Sequence, residues 1–441
     1  MTLEELASAA PGVVVTPADE EWDAARRFHS GIGTPAVVVR ARTVDDVRAA
    51  VRHAAALSLP VLVRSGGHGP WGALDGGLTI DLAGLAGIVV DGTTVRVGGG
   101  ARWGDVARTL AGHGLGLSSG DTASVGVGGL TLGGGIGWMV RAWGLAADQL
   151  VGVQLVTAAG DVVEATDATD PGLLWALRGG GGNFGVVTRF DFRASPLPAV
   201  VFATLTVTGD PAEALRVLRD TMDRAPRELT ATYMDVPAMD PSAPAGATIT
   251  ACWIGDDVTA ARAALGPVLA SGAVGDVEIG IRSYPEILLE MPAADPDQPM
   301  PGFVGGNTML RELTDEAIAA LVAFRAGNPA SVLFLRSLGG AFGEVPADAT
   351  AFAARDATWF AMAGAFDIPG LLDDAGRGAA VRDWAVIEGL GAGVYGNFTT
   401  SMEPSWVPRM FPPATLARLT ALKGEWDPGN VFARNHNLAP R

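Results

Sequence analysis

The chain has 441 residues, of which 48% are hydrophobic and 18% charged, a length that predicts more than one domain. Its formal net charge is −17 and Lys423 is its single lysine, which excludes a lysine-rich patch for nucleic acid and a Walker-type phosphate loop. The single cysteine, Cys252, excludes an intramolecular disulfide and a thiolate cluster for zinc or iron–sulfur.

The N-terminal segment and the apolar runs bear on the location of the protein. MTLEELASAAPGVVV carries two glutamates and no basic region ahead of its short apolar stretch, so we do not expect a signal peptide. No uninterrupted apolar run approaches the ~20 residues of a membrane span. We therefore expect a cytoplasmic protein with neither membrane nor nucleic acid as a partner.

Short strands alternate with helices in the first part of the chain. AVVVRA precedes a helix that begins at Thr43 and carries Asp45 and Asp46 in its first turn, where acidic side chains complement the helix dipole. The prolines of SPLPAV then mark a domain boundary near residue 195. Between these points we expect strands in LPVLVR, GLTIDL, GIVVDG, TTVRVGGG and VVTRFDFRA, a helix in ARWGDVARTLAGHG, and a hairpin in QLVTAAGDVVEA around Gly160-Asp161.

A second pattern begins near residue 200. It predicts an antiparallel sheet covered on one face by helices, followed by a loop-rich C-terminal segment. The expected strands are VFATLTVTG, GATITACWIG, SVLFLRSLGG and ATWFAMAGAF, and the expected helices are PAEALRVLRDTMDRA, LTDEAIAALVAFRA and PATLARLTALKGEW. The Pro- and Asp-rich MPAADPDQPMPG is expected to be a surface loop. The fold class is α+β, with parts at 1–195, 196–388 and 389–441.

Glycine is abundant, and three glycine clusters lie in the first part. The 60 glycines concentrate in SGGHG, VGVGGLTLGGGIG and LRGGGGNFG. Glycine lets a backbone approach a phosphate or a ring closely, so three clusters in one domain favour a large dinucleotide over ordinary turns. Gly180-x-Gly182-x-x-Gly185 matches the nucleotide fingerprint formally, but VVTRFDF after it predicts a strand instead of the helix that a Rossmann site needs.

Two residues are candidates for chemistry. His68 follows an apolar strand within RSGGHG, where glycines would let a cofactor approach its ring, although a polar surface histidine is the alternative. Tyr395 lies in the glycine-flanked YGNF, and a buried structural tyrosine is its alternative reading. No metal site is expected, because metal-site spacing is absent among the other histidines, His29, His53, His113 and His436.

Five motifs in order resemble the berberine bridge enzyme-like oxidases of the vanillyl-alcohol oxidase superfamily. They are RSGGHG, GVGGLTLGGGIGWMVRAWGLAADQL, GGGGNFGVVT, YGNF and EWDPGNVFARNHNL. LGGAFGEVPADATAFAARDATWF is also similar to a stretch of bacterial members. The resemblance implies a two-part PCMH-type domain that binds flavin adenine dinucleotide (FAD), a middle domain that roofs the substrate, and a C-terminal segment that returns to the FAD domain.

The same resemblance implies how the cofactor is held. In this family the histidine of the R-x-G-G-H motif is bonded to the 8-methyl carbon of the flavin, and His68 matches it. We therefore expect covalent FAD. The other cofactor positions that the resemblance implies are Arg64, Ser65, Gly66, Gly67, Gly69, Val125, Gly126, Gly129, Gly134, Gly135, Gly182, Gly185, Val187, Tyr395, Asn397 and Asn435.

Three positions refine the expected chemistry by the same resemblance. Many members attach the flavin a second time through a cysteine, but Thr122 occupies that position and Cys252 is far along the chain, so a single attachment is expected. Val125 matches the position that controls oxygen access, and valine there favours an oxidase. Tyr395 matches the family tyrosine that often deprotonates a substrate hydroxyl.

The expected reaction is hydride transfer from an alcohol or amine of a small molecule to flavin, with O2 as acceptor and H2O2 as product. A secondary metabolite is the favoured substrate, and the oligomeric state is left open. The residues predicted to contact substrate are Tyr233, Trp253, Phe334 and Arg336. The alternatives are an FAD-dependent dehydrogenase, an oligosaccharide oxidase, a non-covalent flavin reductase and a protein that binds FAD without catalysis.

Overall fold

A computed structural model describes residues 2–69, 75–237, 246–293, 295, 302–399 and 401–440. Most of the predicted surface loop at 291–302 lies outside the described residues. The N-terminal strands are β1 Val14–Val15, β2 Arg27–Phe28, β3 Gly31–Ile32, β4 Val37–Arg40, β5 Val61–Arg64, β6 Leu78–Asp81, β7 Ile88–Asp91, β8 Thr94–Gly98, β9 Leu115–Gly116, β10 Leu150–Val156, β11 Val162–Thr166, β12 Val186–Arg193 and β13 Ser195–Pro196. The helices of this part are α1 Leu3–Ala9, α2 Trp22–Ala25, α3 Val44–Leu57, α4 Trp103–Ala111, α5 Val127–Leu132, α6 Val140–Trp143 and α7 Pro171–Leu177.

Two sheets organise the N-terminal part. One has the order β1-β4-β6-β5, in which β6 pairs in parallel with both β4 and β5. The other is antiparallel, with the order β11-β10-β12-β8-β7. Helix α3 begins where predicted, because Thr43 and Asp46 cap each other's backbone in a capping box. Strand β12 directly follows Gly185, as predicted, so this glycine cluster does not open a helix.

The middle part is built on a seven-stranded antiparallel sheet. Its order is β17-β14-β16-β15-β19-β20-β18. The strands are β14 Val200–Val207, β15 Leu229–Val236, β16 Gly246–Ile254, β17 Val274–Arg282, β18 Gly302–Leu310, β19 Ser331–Ser337 and β20 Trp359–Asp367. The helices are α8 Pro211–Met222, α9 Val258–Ala264, α10 Gly266–Ala270, α11 Asp315–Gly327, α12 Ala341–Glu344 and α13 Asp374–Gly389. The predicted antiparallel sheet is confirmed, although β15, β17, β18, α9, α10, α12 and α13 were not among the predicted elements.

The two faces of this sheet have different neighbours. One face, which we call the helix face, packs a continuous apolar cluster against α8, α11 and α13. This cluster includes Leu205, Leu218, Ile249, Ile318, Leu321, Leu335 and Trp384. The opposite face packs against residues of the N-terminal part, including Val140 and Leu145. This second face therefore borders the glycine-rich segments.

The C-terminal segment packs onto the N-terminal part. Its helices are α14 Val407–Met410 and α15 Pro413–Trp426, and the second has the bounds predicted from PATLARLTALKGEW. Leu419 and Leu438 belong to the core cluster around β10 and β12. The buried Lys423 donates to Asp427 at 2.6 Å and to the Asn183 carbonyl at 2.8 Å, so the lone lysine ties this segment to the third glycine cluster. The boundaries at 195–196 and 388–389 remain predictions.

Candidate active site

The turn after β5 presents His68. Gly67 has a φ of +72°, a left-handed conformation that favours glycine. A Cβ added at Gly66 would lie 2.2 Å from the Gly126 backbone nitrogen, so two glycine loops touch backbone to backbone. Ser65 Oγ reinforces this contact by donating to the Gly99 carbonyl at 2.7 Å and accepting from the Gly128 N–H at 3.3 Å. His68 and Gly69 are thus carried by a turn packed against the second glycine cluster.

The ring of His68 is fixed by two neighbours that the sequence did not single out. Its Nε2 lies 3.0 Å from Ser124 Oγ, and its ring stacks on that of His29 with 3.5 Å between centroids. Burial, and then the charges of His29 and Arg102, lower the pKa of His68 to about 4. The imidazole is therefore neutral near pH 7 and carries a free lone pair.

Arg64 has partners within the protein. Its guanidinium pairs with Asp81 at 2.7 Å and donates to the carbonyls of Ala25 and Arg27 at 2.8 and 2.7 Å. The structure therefore commits this side chain to holding β5 against β6 and the segment at 25–27. That Arg64 also contacts the cofactor remains a prediction.

Tyr395 lies beside the second glycine cluster. Its Oη accepts hydrogen bonds from the backbone N–H groups of Gly135 at 3.0 Å and Ile136 at 3.4 Å, and from Asn397 Nδ2 at 2.8 Å. The backbone of Tyr395 is held by Asn307, whose amide accepts from its N–H at 2.7 Å and donates to its carbonyl at 3.2 Å. Burial raises the pKa of Tyr395, while the three donors act in the opposite direction.

Strand pairing defines the wall above Tyr395. Cross-strand partners share a face, and so do residues two apart on a strand. Two rows of cross-strand partners therefore lie on one face, which we call the roof face. The rows are Thr232, Arg336, Phe360 and Met309, and Met234, Phe334, Met362 and Asn307. Of the predicted substrate residues, Phe334 and Arg336 lie here.

The roof face is aromatic near Tyr395. The Phe360 ring meets the Tyr395 ring edge-on at 5.8 Å, and Phe398 stacks beside Tyr395 at 5.7 Å. Phe352 contacts the same ring at 5.9 Å, and Phe334 lies 6.0 Å from Phe360. Phe398 is 42% exposed, so the cluster reaches the surface there.

An ion pair bounds this apolar wall. Arg336 donates to both carboxylate oxygens of Asp121, at 2.9 and 2.5 Å, and its guanidinium lies 4.1 Å from the centre of the Trp138 ring. Arg336 is only 1% exposed. Its charge is therefore neutralised inside the protein, across the contact between the sheet and the N-terminal part.

Tyr233 and Trp253 lie on the helix face, so the prediction that they contact substrate is corrected. Tyr233 pairs with Leu335 and Ile249 and is fully buried in the helix-face cluster. Trp253 packs against the same cluster. The physical reason is alternation, since residues at odd separation along a strand point to opposite faces.

Two of the remaining glycine positions leave open space that a cofactor could occupy. A Cβ added at Gly129 would meet nothing within 4 Å, and one at Gly182 would meet only the Asn435 amide, at 3.8 Å. Among the described residues, Asn435 Oδ1 is buried without a hydrogen-bond partner, which suits a polar ligand. Asn397 lies against Gly133 of the second cluster, and Asn183 of the third cluster donates to the His436 carbonyl at 3.2 Å. Since Gly66 also meets Gly126, the three clusters and the C-terminal segment are in contact.

Other predicted cofactor positions pack within the protein. Gly134 and Gly135 have φ values of +123° and +89°, and Gly135 presents its N–H to Tyr395. Gly185 packs against Leu155, and Val187 is buried in the core around β10 and β12. These last two residues shape the strand beneath the third glycine cluster, and the structure places the Val187 side chain in the core.

The structure also locates Thr122, the position at which the resemblance implies a second flavin attachment in other members. The Thr122 backbone forms a bridge with Leu289, and its hydroxyl lies 3.8 Å from Met291 Sδ. Cys252 is remote from Thr122 in sequence, but it packs in the same apolar cluster as Ala123, the neighbour of Thr122. Burial raises the pKa of Cys252, which keeps the thiol protonated and unreactive. Val125 is partly buried, and its carbonyl accepts from the Trp103 N–H at 2.9 Å.

Within the described part of the chain, neither a metal cluster nor a membrane span is found. No group of three or more potential metal ligands comes together there. Likewise, none of the described helices is long and apolar enough to cross a bilayer.

Sequence comparisons agree with this arrangement. Residues 35–166 match a family model described as an FAD binding domain, and residues 394–439 match one described as berberine and berberine like. (R)-6-hydroxynicotine oxidase of Paenarthrobacter nicotinovorans is 31% identical over 455 residues, covering 97% of both chains. The chain belongs to the berberine bridge enzyme-like family of FAD-linked oxidoreductases.

Solved structures of the family have the same fold. 6-Hydroxy-D-nicotine oxidase from Arthrobacter nicotinovorans superposes with a TM-score of 0.84 at 26% identity, over 100% of both chains. Glucooligosaccharide oxidase from Acremonium strictum, described with a 6-S-cysteinyl, 8α-N1-histidyl FAD, superposes with a TM-score of 0.84 at 25% identity, over 99% of both chains. This member of the berberine bridge enzyme-like family is an FAD-dependent oxidase.

Proposed function

We propose that this oxidase holds FAD by one covalent bond through His68 and oxidises a C–OH or C–N bond of a small apolar molecule, passing the electrons to O2 to give H2O2. The observation that carries the proposal is the environment of Tyr395. Its hydroxyl oxygen accepts hydrogen bonds from three N–H donors and lies within an aromatic wall. Bound FAD supplies the two-electron acceptor for hydride.

The chain's own contribution is to remove a proton and fix the substrate. The donors from Gly135, Ile136 and Asn397 stabilise the phenolate form of Tyr395, and its Oη then takes the proton of the substrate O–H or N–H to become the neutral phenol. Burial raises the pKa of Tyr395, so the phenolate is favoured at alkaline pH. Asn307 holds the Tyr395 backbone, which fixes the direction in which the proton leaves the substrate for Tyr395 Oη.

The roof face supports an apolar substrate with a ring. Met234, Phe334 and Met362 are partly exposed along one row, and Phe398 extends this apolar surface outward. The charge of Arg336 is already paired with Asp121. Such a wall gains free energy from burying apolar rings, about 25 cal/mol per Å², but leaves sugar hydroxyls without partners. A secondary-metabolite alcohol or amine suits it better than an oligosaccharide.

The first test concerns the cofactor bond. We expect purified protein to keep its yellow colour and flavin fluorescence on the polypeptide after acid precipitation or denaturing electrophoresis, and His68→Ala to lose this retention. A wild-type protein that releases all its flavin on denaturation would instead indicate a non-covalent flavoprotein.

The second test concerns the substrate and the acceptor. Matched panels of aromatic amines, aromatic alcohols, aliphatic alcohols and oligosaccharides would be mixed anaerobically with the protein while flavin absorbance is followed. We expect bleaching by apolar amines or alcohols, and stoichiometric H2O2 when air is admitted. Bleaching by oligosaccharides alone, or a reduced flavin that air does not reoxidise, would contradict this proposal, and so would reduction by NADPH in place of substrate.

Small-molecule substrate and O2 are the proposed partners, and the cytoplasm is the proposed location. Fractionation of native cells, with the covalent flavin as a tracer, checks the location.

A further inference from the structure

The His68 turn is held from the segment at 28–30 as well as by its own glycines. Ser30 Oγ donates to the His68 carbonyl at 2.9 Å, and the Ser30 N–H donates to the Gly67 carbonyl at 3.2 Å. A Cβ added at Gly67 would approach Phe28 Cβ at 2.9 Å. The turn therefore rests on this segment, which sets where the imidazole of His68 lies.

The plane of the imidazole is set by His29. The two rings are 14° from parallel, with 3.5 Å between centroids, so they are in full van der Waals contact. Burial lowers the pKa of His29, and the Arg102 charge adds to this. Both rings are therefore neutral near pH 7, and they stack without repulsion.

The orientation of the imidazole within that plane is set by Ser124. Nε2 faces Ser124 Oγ at 3.0 Å. The Ser124 hydroxyl can accept a hydrogen bond from this nitrogen, and in that tautomer the proton lies on the nitrogen that faces Ser124. That nitrogen is Nε2, which leaves the lone pair on Nδ1.

We infer that Ser124 and His29 are positioning residues for flavin attachment: Ser124 holds Nε2–H so that Nδ1 of His68 is the attacking nitrogen, and His29 holds the ring plane. This inference rests on the proposed covalent bond through His68. The two residues act through His68 and take no part in substrate oxidation.

The attachment step balances with O2 as the oxidant. The bond formed joins Nδ1 to the 8-methyl carbon, and the bonds broken are one methyl C–H and the Nε2–H. These two hydrogens and two electrons pass to the flavin, which becomes two-electron reduced. O2 then takes up the hydrogens and electrons as H2O2. Ser124 is placed to accept the hydrogen bond of the N–H that is lost.

The test measures the rate of covalent attachment and not turnover. Full-length protein made under riboflavin limitation would be mixed with FAD in air, and samples would be acid-precipitated over time to measure the flavin that stays on the polypeptide. Non-covalent binding before attachment is measured separately, from the quenching of FAD fluorescence.

Four variants form matched pairs. Ser124→Ala removes the hydroxyl and is expected to slow attachment at least about tenfold, equivalent to about 1.4 kcal/mol. Ser124→Thr keeps the hydroxyl and should attach near the wild-type rate. His29→Ala removes the stacked ring and should slow attachment, whereas His29→Phe keeps a stacking surface and should restore it. In the wild type, NMR of the isolated flavin peptide should place the flavin on Nδ1.

The outcomes separate this inference from the proposal beneath it. Wild-type protein that never retains flavin would overturn the covalent bond and this inference together. Wild-type retention with an unchanged rate in Ser124→Ala and His29→Ala would overturn this inference alone, as would attachment through Nε2. Loss of attachment in Ser124→Thr and His29→Phe as well as in the alanine variants would likewise overturn it, because the hydroxyl and the ring surface would then not be what matters.

Discussion

Removal of the Tyr395 hydroxyl tests the proposed base most directly. In Tyr395→Phe the N–H groups of Gly135 and Ile136 and the Asn397 amide lose their shared acceptor. The two shorter hydrogen bonds, at 3.0 and 2.8 Å, contribute about 1 kcal/mol each, and the unpaired buried donors add to the cost. We expect a loss of about 2–3 kcal/mol in unfolding free energy, less than the 5–15 kcal/mol typical of folded proteins. The variant should therefore fold and carry flavin.

The catalytic loss should exceed the structural one. A missing general base slows a reaction by about 10²–10⁴-fold, which corresponds to about 3–5 kcal/mol of activation free energy. Stopped-flow bleaching of the flavin, under anaerobic conditions, isolates this step, while reoxidation by O2 should keep its wild-type rate. In the wild type, bleaching should accelerate as pH rises, because the unprotonated phenolate is the active form and burial raises the pKa of Tyr395. The variant should lose that acceleration.

The matched control is Tyr284→Phe. Tyr284 is also buried, and its hydroxyl is 2.6 Å from Ser119 Oγ. Its loss should cost about 1 kcal/mol of unfolding free energy and leave the bleaching rate unchanged. Wild-type bleaching in Tyr395→Phe, or equal slowing in both variants, would refute the assignment of the base.

Three further changes test the placement of other residues. Tyr233→Phe should leave the bleaching rate and urea midpoint unchanged within error, since this hydroxyl has no hydrogen-bond partner among the described residues; a raised KM would return Tyr233 to the substrate site. Asp121→Asn should lower the free energy of unfolding by about 3–5 kcal/mol in urea titrations, because it leaves the buried Arg336 charge unpaired, and a smaller loss would mean that solvent reaches the pair. Cys252 should resist a thiol reagent in the native protein and react once in urea, because its thiol is buried and its pKa is raised; rapid native labelling would contradict that burial.

Much of the secondary structure follows from local pattern. The capping residues at Thr43 mark the start of α3 where it was predicted, and the segment at 413–426 forms a helix with the predicted bounds. Strands β17 and β18 were missed, because exposed acidic residues interrupt the first and paired glycines the second. A strand of that kind is stabilised by its neighbours in the sheet, and its own residues signal it weakly.

By itself, the sequence determined the glycine clusters, His68 in the first of them, Tyr395 in its own glycine-flanked motif and the lone cysteine, and so the class of chemistry. Only the tertiary structure decided that Phe334 and Arg336 share the roof face while Tyr233 and Trp253 are buried against helices. It also decided that Ser124 and His29, distant in the chain, meet at the ring of His68. The physical reason is that side chains alternate along a strand and loops meet by packing, so the face and the neighbours of a residue depend on pairings that no local pattern encodes.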